Sequence, residues 1–243
     1  MKIILCLALS FISLEGNCQV IQNSGTSGIA NGQAAGKLAD PTYLTNLINR
    51  PVTLFPDDVS GSPYLTEEYK QAFVQQKDGY TQKDVPVRFN LYRNEFEFKQ
   101  AGIVNVLALP QSIIYLDRPF DSSSIRIFVS GYPFLSNLTD ESIYELLAKG
   151  KKAHLLKYIE QKLEEVKTVG VFGKKALVSY ASYYLFNTST RKLVKIKLDK
   201  KSIIEQFLLD AARIEQHIQR KKLNLKNESD LSELITTLNN ESL

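Results

Sequence analysis

The segment Val85–Lys99, VPVRFNLYRNEFEFK, constrains the fold more than any other stretch of the chain. Val85, Val87, Phe89 and Leu91 alternate with Pro86, Arg88, Asn90 and Tyr92, the period of two of a strand with one buried face. The apolar parity then moves to even positions, at Phe96 and Phe98. A two-residue turn at Arg93-Asn94 accounts for the switch. It opposes Tyr92 to Glu95, Leu91 to Phe96 and Phe89 to Phe98. Directly opposed residues share a face, so Val87, Phe89, Leu91, Phe96 and Phe98 fall on one side. Asn94 tolerates the positive φ of a type I′ turn and Arg93 does not, which leaves a longer or bulged turn open. The opposite face carries Arg88, Asn90, Tyr92, Glu95, Glu97 and Lys99. It reads as a solvated face with diagonal ion pairs such as Arg88–Glu97, each worth under about 1 kcal/mol. A polar binding surface is the alternative.

More sheet is expected on either side. Tyr64–Val74 reads as a strand or an irregular cover, and Gln75–Asp84 as a polar connection into the hairpin. Ile103–Leu109, Ser112–Leu116 and Ser124–Ser130 are short strand-like runs. Turn residues at Pro110-Gln111, Asp117-Arg118-Pro119 and Gly131-Tyr132-Pro133 punctuate them, as in an antiparallel meander. Lys174–Asn187 and Leu193–Leu198 form a second hairpin across Asn187-Thr188-Ser189-Thr190. Lys195 and Lys197 on its outer face guard against edge pairing. Between these, Ile143, Leu146, Leu147, His154, Leu155, Tyr158, Ile159, Leu163 and Val166 follow helical spacing. Gly150 beside Lys151-Lys152 also allows two strands and a turn.

The chain ends in helices. Ser202 and Glu205 have capping-box spacing. Ile203, Ile204, Phe207, Leu208, Ala211, Ile214 and Ile218 read as one apolar stripe, bordered by His217. Ser229 is placed to cap a last helix carrying Leu231, Leu234, Ile235 and Leu238. The fold class expected is therefore mainly β with C-terminal helices (α+β), as a curved antiparallel sheet or partial barrel. The β domain spans 51–200, and helices from 201–243 pack on the same domain.

The N-terminus has the form of a secretory signal. Lys2 precedes the apolar run Ile3–Leu14, and Gly16-Asn17-Cys18 suits cleavage before Gln19. Residues 1–18 are read as signal peptide. Residues 19–50 follow as a flexible leader with a short helix. Both cysteines, Cys6 and Cys18, leave with the signal, so the mature chain holds together without disulfides. The rival reading makes Cys18 a lipidated first residue, which Asn17 before it suits poorly. The protein is expected to be exported, periplasmic or extracellular, with no transmembrane span after cleavage.

Composition narrows the chemistry. A net charge of +4 over 243 residues is too mild to argue for nucleic acid, and two histidines supply acid–base or metal chemistry sparsely. The sequence contains neither HExxH nor a G-x-S-x-G elbow. Glu95 with Glu97 and Asp140 with Glu141 are carboxylate pairs without a distinguishing context, and Asp57-Asp58 is read as a turn cap. No cofactor, metal or catalytic residue is assigned, and an enzyme, such as a hydrolase, is the least favoured class.

The strings GSPYLTEEY (61–69), VPVRFNLYRNEFEFK (85–99), SIYELLAKGKK (142–152), ASYYLFN (181–187) and KKSIIEQF (200–207) are similar to a group of exported proteins of unknown function from Gram-negative bacteria. The resemblance carries no activity and no catalytic residues. It implies that Ile143–Lys149 and Ala153–Glu160 are strands around a turn at Gly150, against the helical spacing. The leading expectation is an envelope-associated protein with a non-enzymatic interaction or structural role. It would use the outer face of the sheet or the terminal helices to contact an envelope protein. The alternative is a carrier, with Phe89, Leu91, Phe96 and Phe98 lining a concave sheet around a small apolar ligand.

Overall fold

Eleven strands form one sheet in the computed structural model, which describes residues 59–100, 103–107, 112–116, 125–166 and 173–240. The expected signal, leader and Asp57-Asp58 turn lie outside these residues. The strands are β1 (Val59–Ser60), β2 (Lys70–Gln75), β3 (Thr81–Asn90), β4 (Glu95–Gln100), β5 (Ile103–Val106), β6 (Ser112–Leu116), β7 (Ile125–Val129), β8 (Tyr144–Ala148), β9 (Ala153–Glu165), β10 (Lys175–Asn187) and β11 (Lys192–Ile196). Their order is β1-β10-β9-β8-β7-β6-β2-β3-β4-β5, with β11 also paired to β10. The sheet is strongly curled into a half-barrel, as the alternation suggested. It is antiparallel except where β1 runs parallel to β10.

The curl follows from three aromatic rings. Phe128 on β7 stands four strands from Phe96 on β4, about 19 Å in a flat sheet. Their ring centroids are 5.3 Å apart, and Phe128 lies 5.1 Å from Phe89 on β3. The sheet therefore bends toward the face that carries these rings. Ala72, Val74, Val85, Val87, Phe98 and Ile113 fill the same concave core.

Opposed pairs continue this concave row from Ile113 through Phe128 and Glu145 to Lys157. Beyond it, helices replace strand side chains as the filling. Ile203 of α1 (Lys200–Ile204), Ile214 of α2 (Ala211–Lys221) and Leu231, Leu234, Ile235 and Leu238 of α3 (Glu228–Asn240) pack on Ala153, Leu155, Leu185 and Ile196. On the convex side, Tyr132 and Leu138 from the β7–β8 connection cover Tyr144, Leu156, Tyr184 and Leu193.

Several expectations need correction. The first hairpin turns through four residues, Leu91–Asn94, so Phe89 opposes Phe96 and Val87 opposes Phe98. A shift of two preserves every face, and Asn94 has the expected positive φ of 53°. Residues 143–160 form the β8–β9 hairpin, as the resemblance implied and against the helical spacing, and β9 stays extended to Glu165. A bulge between Leu146 and Ala148 explains the misleading pattern, because the extra residue breaks strict alternation. The connection after Gln75 is shorter than expected, since β3 already starts at Thr81.

The 202–218 stripe is not one helix. Asp199, not Ser202, caps α1, its side chain accepting from the Ser202 N–H at 2.7 Å. Ser202 Oγ instead accepts from the N–H of Lys197 at 3.0 Å, and Glu205 ends the helix. A single 3₁₀ turn, Leu208–Asp210, separates α1 from α2. The last helix starts at Glu228, so Ser229 lies inside it.

A strap ties the ends of the curl together. After β1, Ser62 O accepts from Gln161 Nε2 on β9 at 2.9 Å, and Tyr64 then bridges to Asn90 on β3. Gly61 makes the bend with φ +94°, against the Leu177 backbone, where only glycine sits without strain. The strap and its continuation to Tyr69 cover the polar face of the first hairpin. The centre of that face, at Asn90 and Glu97, is therefore buried, while Tyr92 and Lys99 at its ends stay exposed. Tyr64 and Tyr69 approach the Arg88 guanidinium at 3.5 and 4.6 Å, and Arg88 pairs with Glu97 at 2.8 Å. Glu97 is 3% exposed and also accepts from Tyr64 and Asn90.

Candidate functional site

The features of greatest chemical interest gather at one end of the sheet, where two turns meet. Lys149–Lys152 joins β8 to β9, and Thr188–Arg191 joins β10 to β11. The Thr188 N–H donates to Lys152 O at 3.1 Å. The Thr188 hydroxyl donates to the same carbonyl at 3.0 Å and also to that of Lys151. Asn187 Oδ1 accepts from the Thr190 N–H at 2.9 Å, as its turn chemistry predicts.

On one side of the joined turns lies the α1–α2 connection. Phe207 packs against the helical core and anchors it. The next two residues have no such partner: Leu208 is 72% exposed and Leu209 fully exposed. Lys152, Asn187, Ser189 and Phe207 line a recess of about 390 Å³ beside them. Lys152 lies 3.8 Å from Asp210, while Lys151, Lys201 and Arg213 are exposed nearby in the chain. Sequence reasoning placed Leu208 on a buried stripe. The break after Glu205 rotates it outward, and the paired Leu208-Leu209 was the signal available.

On the other side, the buried Tyr132 and the half-buried His154 form a polar pair, with Tyr132 Oη 2.8 Å from His154 Nδ1. Tyr144 and Phe186 pack edge-on against Tyr132 at 5.6 and 5.1 Å. Burial pushes the Tyr132 hydroxyl well above the ordinary phenol range. Burial and the neighbouring Lys149 charge hold His154 below the ordinary imidazole value, so both groups are neutral at pH 7.

The other residues singled out from the sequence fall elsewhere. Phe89, Leu91, Phe96 and Phe98 are all buried in the concave core. Phe89 and Phe96 stack at 4.5 Å, so their rings pack on one another. Glu97 is held by Arg88, and Glu95 lies 3.4 Å from Arg93. His217 lies on α2 with Nδ1 3.1 Å from Arg220. Among the described residues no group of three or more His, Cys, Asp or Glu is placed to hold a metal ion. No described helix is long and apolar enough to cross a membrane.

No protein-family model, curated protein or solved structure matches this chain.

Proposed function

We propose that this is an exported, envelope-associated protein that works by non-enzymatic contact, through the turn between α1 and α2. The observation that carries the reading is the full exposure of Leu209 beside a largely exposed Leu208. Burying each such side chain is worth about 1.5–3 kcal/mol. The two leucines protrude from a short turn and share a recess with Lys152, while Lys201 and Arg213 are exposed on the helices either side of that turn and Lys151 is exposed next to Lys152. Acidic neighbours, Glu205 and Asp210, offset these only in part. A protruding apolar tip with a basic surround suits the headgroup region of an anionic membrane surface, where apolar side chains enter and cations stay at the phosphate level.

Co-sedimentation of the mature chain with phosphatidylglycerol-containing vesicles tests this. The protein is expected to pellet with them and to stay in solution with pure phosphatidylcholine. Leu208→Ser with Leu209→Ser should release it at unchanged thermal stability. Equal pelleting of this variant, or none by the parent protein, would overturn the reading.

A further inference from the structure

We infer a second binding site, distinct from the leucine turn: a half-open cleft on the convex side of the joined turns that takes a small anion bearing a carboxylate or a phosphate. The cleft has a volume of about 400 Å³. Its rim carries Lys149 from the β8–β9 turn and Arg191 from the β10–β11 turn, and its floor carries Tyr132, His154 and Phe186. The site goes beyond the membrane reading, because none of its rim or floor residues belongs to the α1–α2 connection.

The first argument is charge. Several cations on the sheet are matched across strands or by a helix: Arg88 by Glu97, Arg126 by Glu145 and Lys157 by Glu228. Lys149 and Arg191 form no ion pair with the described residues, yet they face the same cleft. Lys149 is near enough to His154 to disfavour its protonation. Two cations converging on a walled recess raise the local concentration of anions.

The second argument is rigidity. The rim turns are fixed to each other through Thr188, and the Lys149–Lys152 turn is fixed again by Asn239 of α3. Arg191 holds a left-handed backbone, φ 54°, which fixes the direction in which its side chain leaves the turn. Binding therefore costs little backbone reorganisation, and the ordering cost falls on the two exposed side chains.

The third argument is the spare donor. A neutral tyrosine and a neutral imidazole together carry two polar hydrogens. One is consumed in the Tyr132–His154 contact. Whichever tautomer is present, the other remains for an acceptor at the cleft floor. Phe186 beside it offers an apolar wall for the body of the anion.

The test is titration of the mature chain with phenyl phosphate and, separately, with benzoate, by calorimetry at fixed ionic strength. Saturable one-site binding of at least one is expected, and the stronger names the headgroup. Lys149→Gln and Arg191→Asn should each weaken it by on the order of tenfold. Asparagine accepts the left-handed backbone at 191, so the turn survives. Lys151→Gln, in the same turn but outside the cleft, should leave binding unchanged, as should Leu208→Ser with Leu209→Ser. Non-saturable uptake of both anions, or saturable binding that survives Lys149→Gln and Arg191→Asn, overturns the site. Vesicle binding lost in the leucine variant with anion binding intact separates the two surfaces.

Discussion

Gly150 leaves the room that Asn239 occupies. A Cβ at position 150 would overlap Cγ and Cβ of the Asn239 side chain. Asn239 Oδ1 accepts from the N–H groups of Lys152 and Ala153, both at 3.0 Å, and its Nδ2 donates to Ala153 O at 2.9 Å. One side chain near the end of α3 thus supplies the turn's backbone with partners and seats the helix on the sheet. Gly150→Ala and Asn239→Ala are each expected to cost about 1–3 kcal/mol in urea unfolding. The two losses should overlap, the double variant being little worse than Asn239→Ala alone. Full additivity would mean that Gly150 matters for some reason other than admitting Asn239.

Arg88 and Glu97 make a second internal joint. The pair sits under the strap, so its removal differs from that of a surface pair. Arg88→Met leaves a carboxylate buried at 3% exposure beside Tyr64 and Asn90. A loss of about 3–5 kcal/mol is expected, as for other broken buried pairs. Arg88→Met with Glu97→Leu should recover much of it, because no uncompensated charge remains. If Arg88→Met lowers the unfolding midpoint no more than Lys200→Met does, the strap does not exclude water from this cluster.

These two joints show where the sequence is legible. Alternation identified both faces of Val85–Lys99, and lengthening the turn to four residues left those faces intact. What covers the polar face was not legible, because the strap reaches it from the far end of the curl. No local period encodes a contact between Tyr64 and Asn90. Periodicity alone misread the β8–β9 hairpin, which the resemblance gave as strands, because its bulge imitates helical spacing. Along β7, Ile125, Ile127 and Val129 alternate with Arg126, Phe128 and Ser130, and the residue at the core is Phe128 while Ile125 is exposed, so alternation alone did not name the inner face. The C-terminal stripe failed at Leu208, where a helix break turned the side chain outward. Lys149 and Arg191 carried no signal at all, since only the pairing of two turns brings them together.

Tyr64 should make the fold sensitive to alkali. Its hydroxyl is pushed up to about 12, first by burial and then by the Glu97 charge, partly opposed by Arg88. An unfolded tyrosine ionises near 10. Between about pH 10 and 12 the unfolded chain releases this proton while the folded chain keeps it, so stability falls as pH rises. Below about 10 the contribution is complete. Tyr64→Phe removes one of the ionising groups and should flatten the decline in melting temperature over that range. Spectrophotometric titration of the phenolate band provides the check. Phenolate amplitude lost near pH 10 in the variant, rather than near 12, would place Tyr64 among the ordinary tyrosines.

His154 should act in the opposite pH range. Burial, with Lys149 adding to it, holds its imidazole below the ordinary value near 6.5. The neutral ring is the form that the folded protein keeps. As pH falls below that value the unfolded chain takes up the proton first, so stability present at pH 7 is lost as pH drops through the folded pKa. Lys149→Gln removes the repelling cation and should raise the His154 titration midpoint, narrowing the window in which stability is lost. The ring Cε1 proton, followed by NMR across the titration, reads this directly. A further rise with added phenyl phosphate is expected, because an anion seated between Lys149 and Arg191 favours the imidazolium. A midpoint that ignores both the substitution and the anion would mean that the rim charges do not reach the floor of the cleft.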